Sequence, residues 1–86
     1  MKFLIIFSYA PKNSKEVNKR FREWKSRGKY EILYPTSTMI GRHKGFQIIE
    51  CDDIAELLKD TSQWTDLMTF KIIPIMDSSE SVALSQ

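Results

Sequence analysis

From Lys2 to Tyr9 the chain alternates two apolar sets. Phe3, Ile5, Phe7 and Tyr9 share one parity, and Leu4 and Ile6 share the other, between Lys2 and Ser8. A period of two predicts a strand, and apolar residues on both parities predict that both of its faces are covered. Pro11-Lys-Asn-Ser14 ends that period. Asn13, with Glu16 three residues on, fits a capping box, so a helix is expected from there to about Arg27, with Gly28 as its C′ residue. Val17, Phe21 and Trp24 fall on one stripe of this helix and are expected to be buried. Lys15, Lys19, Arg22 and Lys29 gather on the opposite side.

Tyr30–Tyr34 is rich in aromatic and branched residues and reads as extended. Pro35-Thr-Ser-Thr38 interrupts it as a bulge or edge segment would, and Met39–Arg42 resumes it. His43-Lys44-Gly45 turns the chain into a further strand, Phe46–Cys51. Asp53, with Glu56 at the third helical position, predicts the cap of a second helix. Ile54, Leu57, Leu58 and Thr61 line one side of it with Trp64 at the edge. Asp53, Glu56 and Asp60 lie roughly opposite, as an acidic back. Leu67–Met76 alternates again, and Pro74, which cannot donate to a ladder, predicts that this strand lies at an edge or ends there. Asp77–Gln86 is polar and Ser-rich, so one domain is expected over residues 1–77, followed by a polar C-terminal tail at 78–86.

The order βαββαβ, with right-handed crossovers, predicts an α+β fold of the ferredoxin-like type: a four-stranded antiparallel sheet with two helices on one face. Helices on one face leave the other bare, yet that face still carries one parity of the first strand and Ile73 and Ile75 of the last. A chain of 86 residues has a thin core of its own, and an exposed apolar patch of this kind calls for a cover. A homodimer, sheet face against sheet face, is expected on this ground.

Composition narrows the classes without naming a function. Hydrophobic residues are 42% and charged residues 28%, which excludes a disordered chain. The longest apolar run, Phe3 to Phe7, is too short to span a bilayer or to form the core of a signal peptide, so no membrane association is expected. A single cysteine, Cys51, fits a reducing cytoplasm, and a single histidine leaves no His-based metal cage. Net charge is +2, but residues 1–45 carry a balance of +8 and residues 46–86 a balance of −6. Opposite solvent faces on two helices explain this asymmetry. A nucleic-acid surface is the weaker reading, because no exposed aromatics interleave the basic residues.

The candidates for chemistry are few. His43 is the one side chain that titrates near neutrality when unperturbed, and it lies on a predicted turn. Arg42 beside it suits an anion, or an acidic partner on the second helix. Cys51 reads as a small buried residue. Trp24 and Trp64, at the inner edges of the two helices, either wall an apolar pocket with Tyr9 or pack as plain core. Glu50, Thr69 and Lys71 are polar residues within otherwise apolar strands. The ligand-pocket candidates are therefore Tyr9, Trp24, Arg42, Trp64 and Lys71, with His43 as a candidate acid or base.

Ile40-Gly41-Arg42, Gly45-Phe46, Glu50-Cys-Asp-Asp53, Gln63-Trp64-Thr-Asp66-Leu67-Met-Thr-Phe70 and Pro74-Ile-Met-Asp77 together resemble the dimeric α+β barrel superfamily. More narrowly, they resemble one of its small families, catalogued as a domain of unknown function. The likeness covers nearly the whole chain and is tightest over residues 40–77. It implies the ferredoxin-like fold and pairing through the sheets, but no catalytic residue. The hairpin departs from the apparent relatives, which have an aromatic residue after the Gly-Arg pair and a longer Gly-rich loop. The wider superfamily includes cofactor-free monooxygenases, lactone isomerases, haem-degrading enzymes and amino-acid-binding domains, so the fold does not fix the function. The reading that results is a cytoplasmic homodimer, without metal or tightly held cofactor, that binds a small apolar or amphipathic molecule or serves as a structural accessory. The alternatives are a cofactor-independent, monooxygenase- or isomerase-like enzyme on an aromatic or polyketide-like substrate, and a basic-helix module for nucleic acid or an acidic partner.

Overall fold

A computed structural model of the chain describes residues 1–85. Strand β1 (Lys2–Tyr9) leads through a 3-10 turn at Pro11–Asn13 into helix α1 (Ser14–Glu23). Strands β2 (Glu31–Thr38) and β3 (Lys44–Glu50) form a hairpin. Helix α2 (Ile54–Thr61), strand β4 (Met68–Ile75) and a short helix α3 (Ser78–Leu84) follow. The sheet is antiparallel in the order β2-β3-β1-β4, so the architecture is the ferredoxin-like α+β arrangement.

The register assigns each residue to a face. Phe3 sits opposite Ile49 and Pro74, and Ile5 opposite Gln47 and Ile72; this parity faces the helices. Phe3, Ile5, Ile49, Cys51 and Leu57 make one buried cluster, and Val17, Trp64 and Met68 make a second, with Phe70 packed against both. The other parity brings Leu4, Ile6, Phe46, Ile48, Ile73 and Ile75 onto the face without helices. Tyr34 stacks on Phe46 there, with ring centroids 5.4 Å apart. Ile73 is 40% exposed there, and Leu4, Ile6, Phe46, Ile48 and Ile75 are partly exposed.

Several local expectations give way to different geometry. Asn13 makes no side-chain cap, and the Pro11 turn starts α1 instead. Helix α1 ends at Glu23 rather than near Arg27. Trp24 is extended, and Gly28 is not left-handed. Strand β2 continues through Pro35 at the edge of the sheet, with register shifts between Ile32 and Ser37, which agrees with the bulge or edge reading of that segment. Met39–His43 is the turn, not a resumed strand, and Gly41, at φ 78°, supplies the left-handed residue it needs. The stretch expected as a polar tail folds as α3 over Ser78–Leu84, exposed throughout; Gln86 lies outside the described residues. Phe21 is half exposed rather than buried. Pro74 does lie in an edge strand, and Cys51 is buried, donating from Sγ to the Asp53 carbonyl at 2.9 Å.

Candidate functional site

Helix α2 presents a different side to the core than its apolar pattern suggests. Leu57, Asp60 and, beyond the helix end, Trp64 are buried, whereas Ile54 and Leu58 point to solvent. The expected acidic back is therefore wrong at Asp60, which is only 3% exposed. Its partners explain the inversion. Oδ1 accepts from the Arg27 amide at 2.6 Å and the Gly28 amide at 3.2 Å. Oδ2 accepts from Ser26 Oγ at 2.5 Å and from the Tyr30 hydroxyl. One turn earlier, Glu56 accepts the Lys29 amide at 3.0 Å, instead of closing a capping box on Asp53. Asp53 itself does cap α2, accepting from the Ala55 amide at 3.0 Å. Successive amides from Arg27 to Lys29 thus converge on two carboxylates of α2. That docking draws the chain out of α1 after Glu23.

This clamp sets the protonation states around it. Burial alone would raise the Asp60 carboxyl, but hydrogen bonds from Ser26, Tyr30 and the two amides outweigh it, and the net shift is downward. Burial, with the hydrogen bond to Asp60, pushes the Tyr30 hydroxyl up to about 12. Glu56 is held low by Lys59, at 2.6 Å, and by the Lys29 amide.

A second tie joins α1 to the turn after α2. Arg20 grips Asp66 with two nitrogens at 2.7 and 3.0 Å and donates to the Gln63 carbonyl at 2.9 Å. Its guanidinium also lies 5.6 Å from the Trp64 ring centroid. Asp66 is drawn below the usual carboxylate range by that bond.

Between these ties and the sheet lies a cleft of about 70 Å³. Its walls are mostly apolar and aromatic, with Phe7, Phe21, Trp24, Trp64, Met68 and Phe70 prominent among them. Asp60 and Tyr30 reach its lining too. Trp24 and Trp64 meet edge to face at 5.8 Å. Trp24 is half-buried, and its Nε1 is buried without an acceptor. Trp24 also lines a second, more open groove of about 390 Å³, together with Arg20, Glu23, Lys25, Arg27 and others.

Of the residues singled out in the sequence, the cleft unites Trp24 and Trp64. Tyr9 packs beside the Val17 cluster and touches His43 edge to face at 5.6 Å, outside the cleft lining. His43 and Arg42 are exposed on the hairpin turn, and Arg42 makes no ion pair with α2 among the described residues. Lys71 lies on the helix-free face, opposite Ile6 in the register, and so cannot line the cleft. Thr69 shares that face and bonds Ser8 at 2.9 Å. Glu50, also there, lies 3.5 Å from the Met1 amine, while its Oε2 is buried without a partner. Sequence reasoning missed Ser26, Tyr30 and Asp60 as a unit. Asp60 read as a surface charge, and no local pattern ties it to a segment 30 to 34 residues upstream.

Among the described residues there is no group of three or more His, Cys, Asp or Glu able to hold a metal, and no helix is long and apolar enough to cross a membrane. The family model for a domain of unknown function (DUF3303) matches residues 1–86. No curated protein and no solved structure matches the chain.

Proposed function

The chain belongs to DUF3303, a family described only as a domain of unknown function, and from the geometry of its cleft we propose that it is a homodimer that binds a small apolar or amphipathic molecule between its helices and its sheet. The cleft carries this reading. Aromatic walls that leave about 70 Å³ open, instead of closing on one another, make a gap that a plain core avoids; it is well below the roughly 300–1,000 Å³ of a drug-sized site and admits only a few heavy atoms of a ligand. Chemistry is supported less well. The titratable groups that reach the lining are Asp60 and Tyr30, and both are engaged in the clamp. A lowered carboxyl whose two oxygens already accept four hydrogen bonds is a poor base, and a phenol raised to about 12 is a poor nucleophile. The dimer would pair the helix-free faces, as in the dimeric α+β barrels that the sequence resembles.

Trp24 and Trp64 both line the cleft, so their emission reports on its contents. Titration with 1-hexanol is expected to shift that emission saturably. Trp24→Phe is expected to weaken binding severalfold while leaving the fold intact by circular dichroism. An emission that stays constant up to the solubility limit of the alcohol would remove the ligand-binding reading.

A further inference from the structure

The lining of the apolar cleft is rich in rings and carries a negative charge. Six of its side chains are aromatic: Phe7, Phe21, Trp24, Tyr30, Trp64 and Phe70. Asp60 is its one acidic residue, and no lysine, arginine or histidine among the described residues lines it. The Asp60 carboxyl is buried and held below its usual range, so it is ionised at neutral pH. It takes part in no ion pair among the described residues. Its four donors are two hydroxyls and two amides, all of them neutral dipoles that leave the charge itself uncancelled. Buried charges in proteins are as a rule matched by an opposite charge, and here the protein supplies none.

We infer that the cleft takes the quaternary ammonium head group of a small amphipathic cation, drawn by the charge of Asp60 and enclosed by the aromatic rings. This rests on the ligand-binding reading of the cleft and specifies its chemistry. The same four hydrogen bonds select the kind of cation. A carboxylate offers about four lone-pair positions, and Ser26, Tyr30 and the amides of Arg27 and Gly28 occupy them. Asp60 has no position left for a further N–H, so a primary ammonium would leave its own donors unpaired against apolar walls. A quaternary ammonium has no N–H to satisfy. It needs a negative field and aromatic walls, and no contact with the carboxylate oxygens, because a charge behind an apolar wall acts across it with little screening. Trp64 already attracts one cation, the Arg20 guanidinium at 5.6 Å. Arg20 does not line the cleft, and Asp66 offsets its charge. The opening of about 70 Å³ suits the few heavy atoms of a trimethylammonium head, with the rest of the ligand outside.

The test compares choline with 3,3-dimethylbutan-1-ol, which has the same shape but a carbon in place of the charged nitrogen. Ethanolamine, which keeps the charge and adds N–H donors, is the third probe. Binding is followed through tryptophan emission, beside the titration with 1-hexanol. Choline is expected to bind about tenfold more tightly than its neutral isostere, the scale of a desolvated cation on aromatic rings, and more tightly than ethanolamine. Phe21→Leu removes one ring of the lining at a half-exposed position, and circular dichroism will show that the fold is retained. The preference for choline over the isostere is expected to fall severalfold in that variant. If hexanol binds and choline binds no better than its isostere, or if Phe21→Leu keeps the full preference, the ammonium site falls while the cleft stands. Ethanolamine binding as tightly as choline would overturn the quaternary assignment. If no probe binds, both readings fall together.

Discussion

Asp60 is where one side chain governs the most structure. Four donors meet its carboxylate, two of them backbone amides, and each would be left unpaired without it. Asp60→Asn keeps the shape but turns a donor toward donors. It is expected to cost about 3 kcal/mol, the scale of losing charged hydrogen bonds in a buried place, read by urea unfolding. Two titrations give the sign independently. The folded carboxyl lies below its unfolded value, so its contribution is full above about pH 4 and is lost as pH falls through the lower folded value. Tyr30 runs the other way. Its folded value is raised to about 12, so its contribution is full below about pH 10, the unfolded value, and fades from there to about 12. Alkaline difference absorbance should therefore show one tyrosine ionising about two units after an ordinary one. In Tyr30→Phe that late step should vanish. A late step that survives the substitution would mean that the clamp is not what holds Tyr30.

Among elements, the segment between α1 and β2 is the informative one. Gly28 looks in sequence like the left-handed residue that closes a helix, but its backbone is not left-handed. A Cβ there would strike the Glu56 carbonyl and the Tyr30 ring, so the glycine is needed for close approach to α2. Gly28→Ala is then expected to lose about 2–3 kcal/mol by overpacking. Gly28→Asn should be worse still, whereas a left-handed cap would accept asparagine with little loss. Thermal melts of the two variants decide between these explanations. The same segment marks the limit of what the sequence could reveal. Strand β1, the edge position of β4, the Asp53 cap and the sheet order follow from period, proline and chain order, all of them local or topological signals. The end of α1, the inward turn of Asp60 and the Arg20–Asp66 tie depend on partners distant in the chain. A hydrophobic wheel cannot supply those partners, and for α2 it pointed Ile54 and Leu58 inward when they lie out. The tryptophans were legible as large apolar residues at the inner edges of the helices, but period alone left pocket wall and plain core both open. Lys71 and Arg42 were not assignable, because parity and turn position needed the register.

At the scale of the whole molecule the chain is one sheet and one layer of helices, 18 Å in its least dimension. It exposes 6356 Å², whereas a compact monomer of its mass would expose about 5,300 Å². Its radius of gyration is 14.4 Å against about 12 Å for a compact chain of this length. The protruding α3 accounts for part of this. The helix-free face is apolar as well as uncovered by helices, since Leu4, Ile6, Tyr34, Phe46, Ile48, Ile73 and Ile75 all lie on it. A second copy laid on this face would remove roughly the 800 Å² per partner of a standard interface. Among the described residues Lys71 has no ion partner on this face. Ile73→Asp, on the edge strand, is expected to give monomers at micromolar concentration by analytical ultracentrifugation, with the helical signal retained and new binding of a hydrophobic dye. Ile6→Asp, near the centre of the face, should do the same more completely. A wild-type chain that sediments as a folded monomer, or an Ile73→Asp chain that stays dimeric on dilution, would place the interface elsewhere and leave the bare face without an occupant.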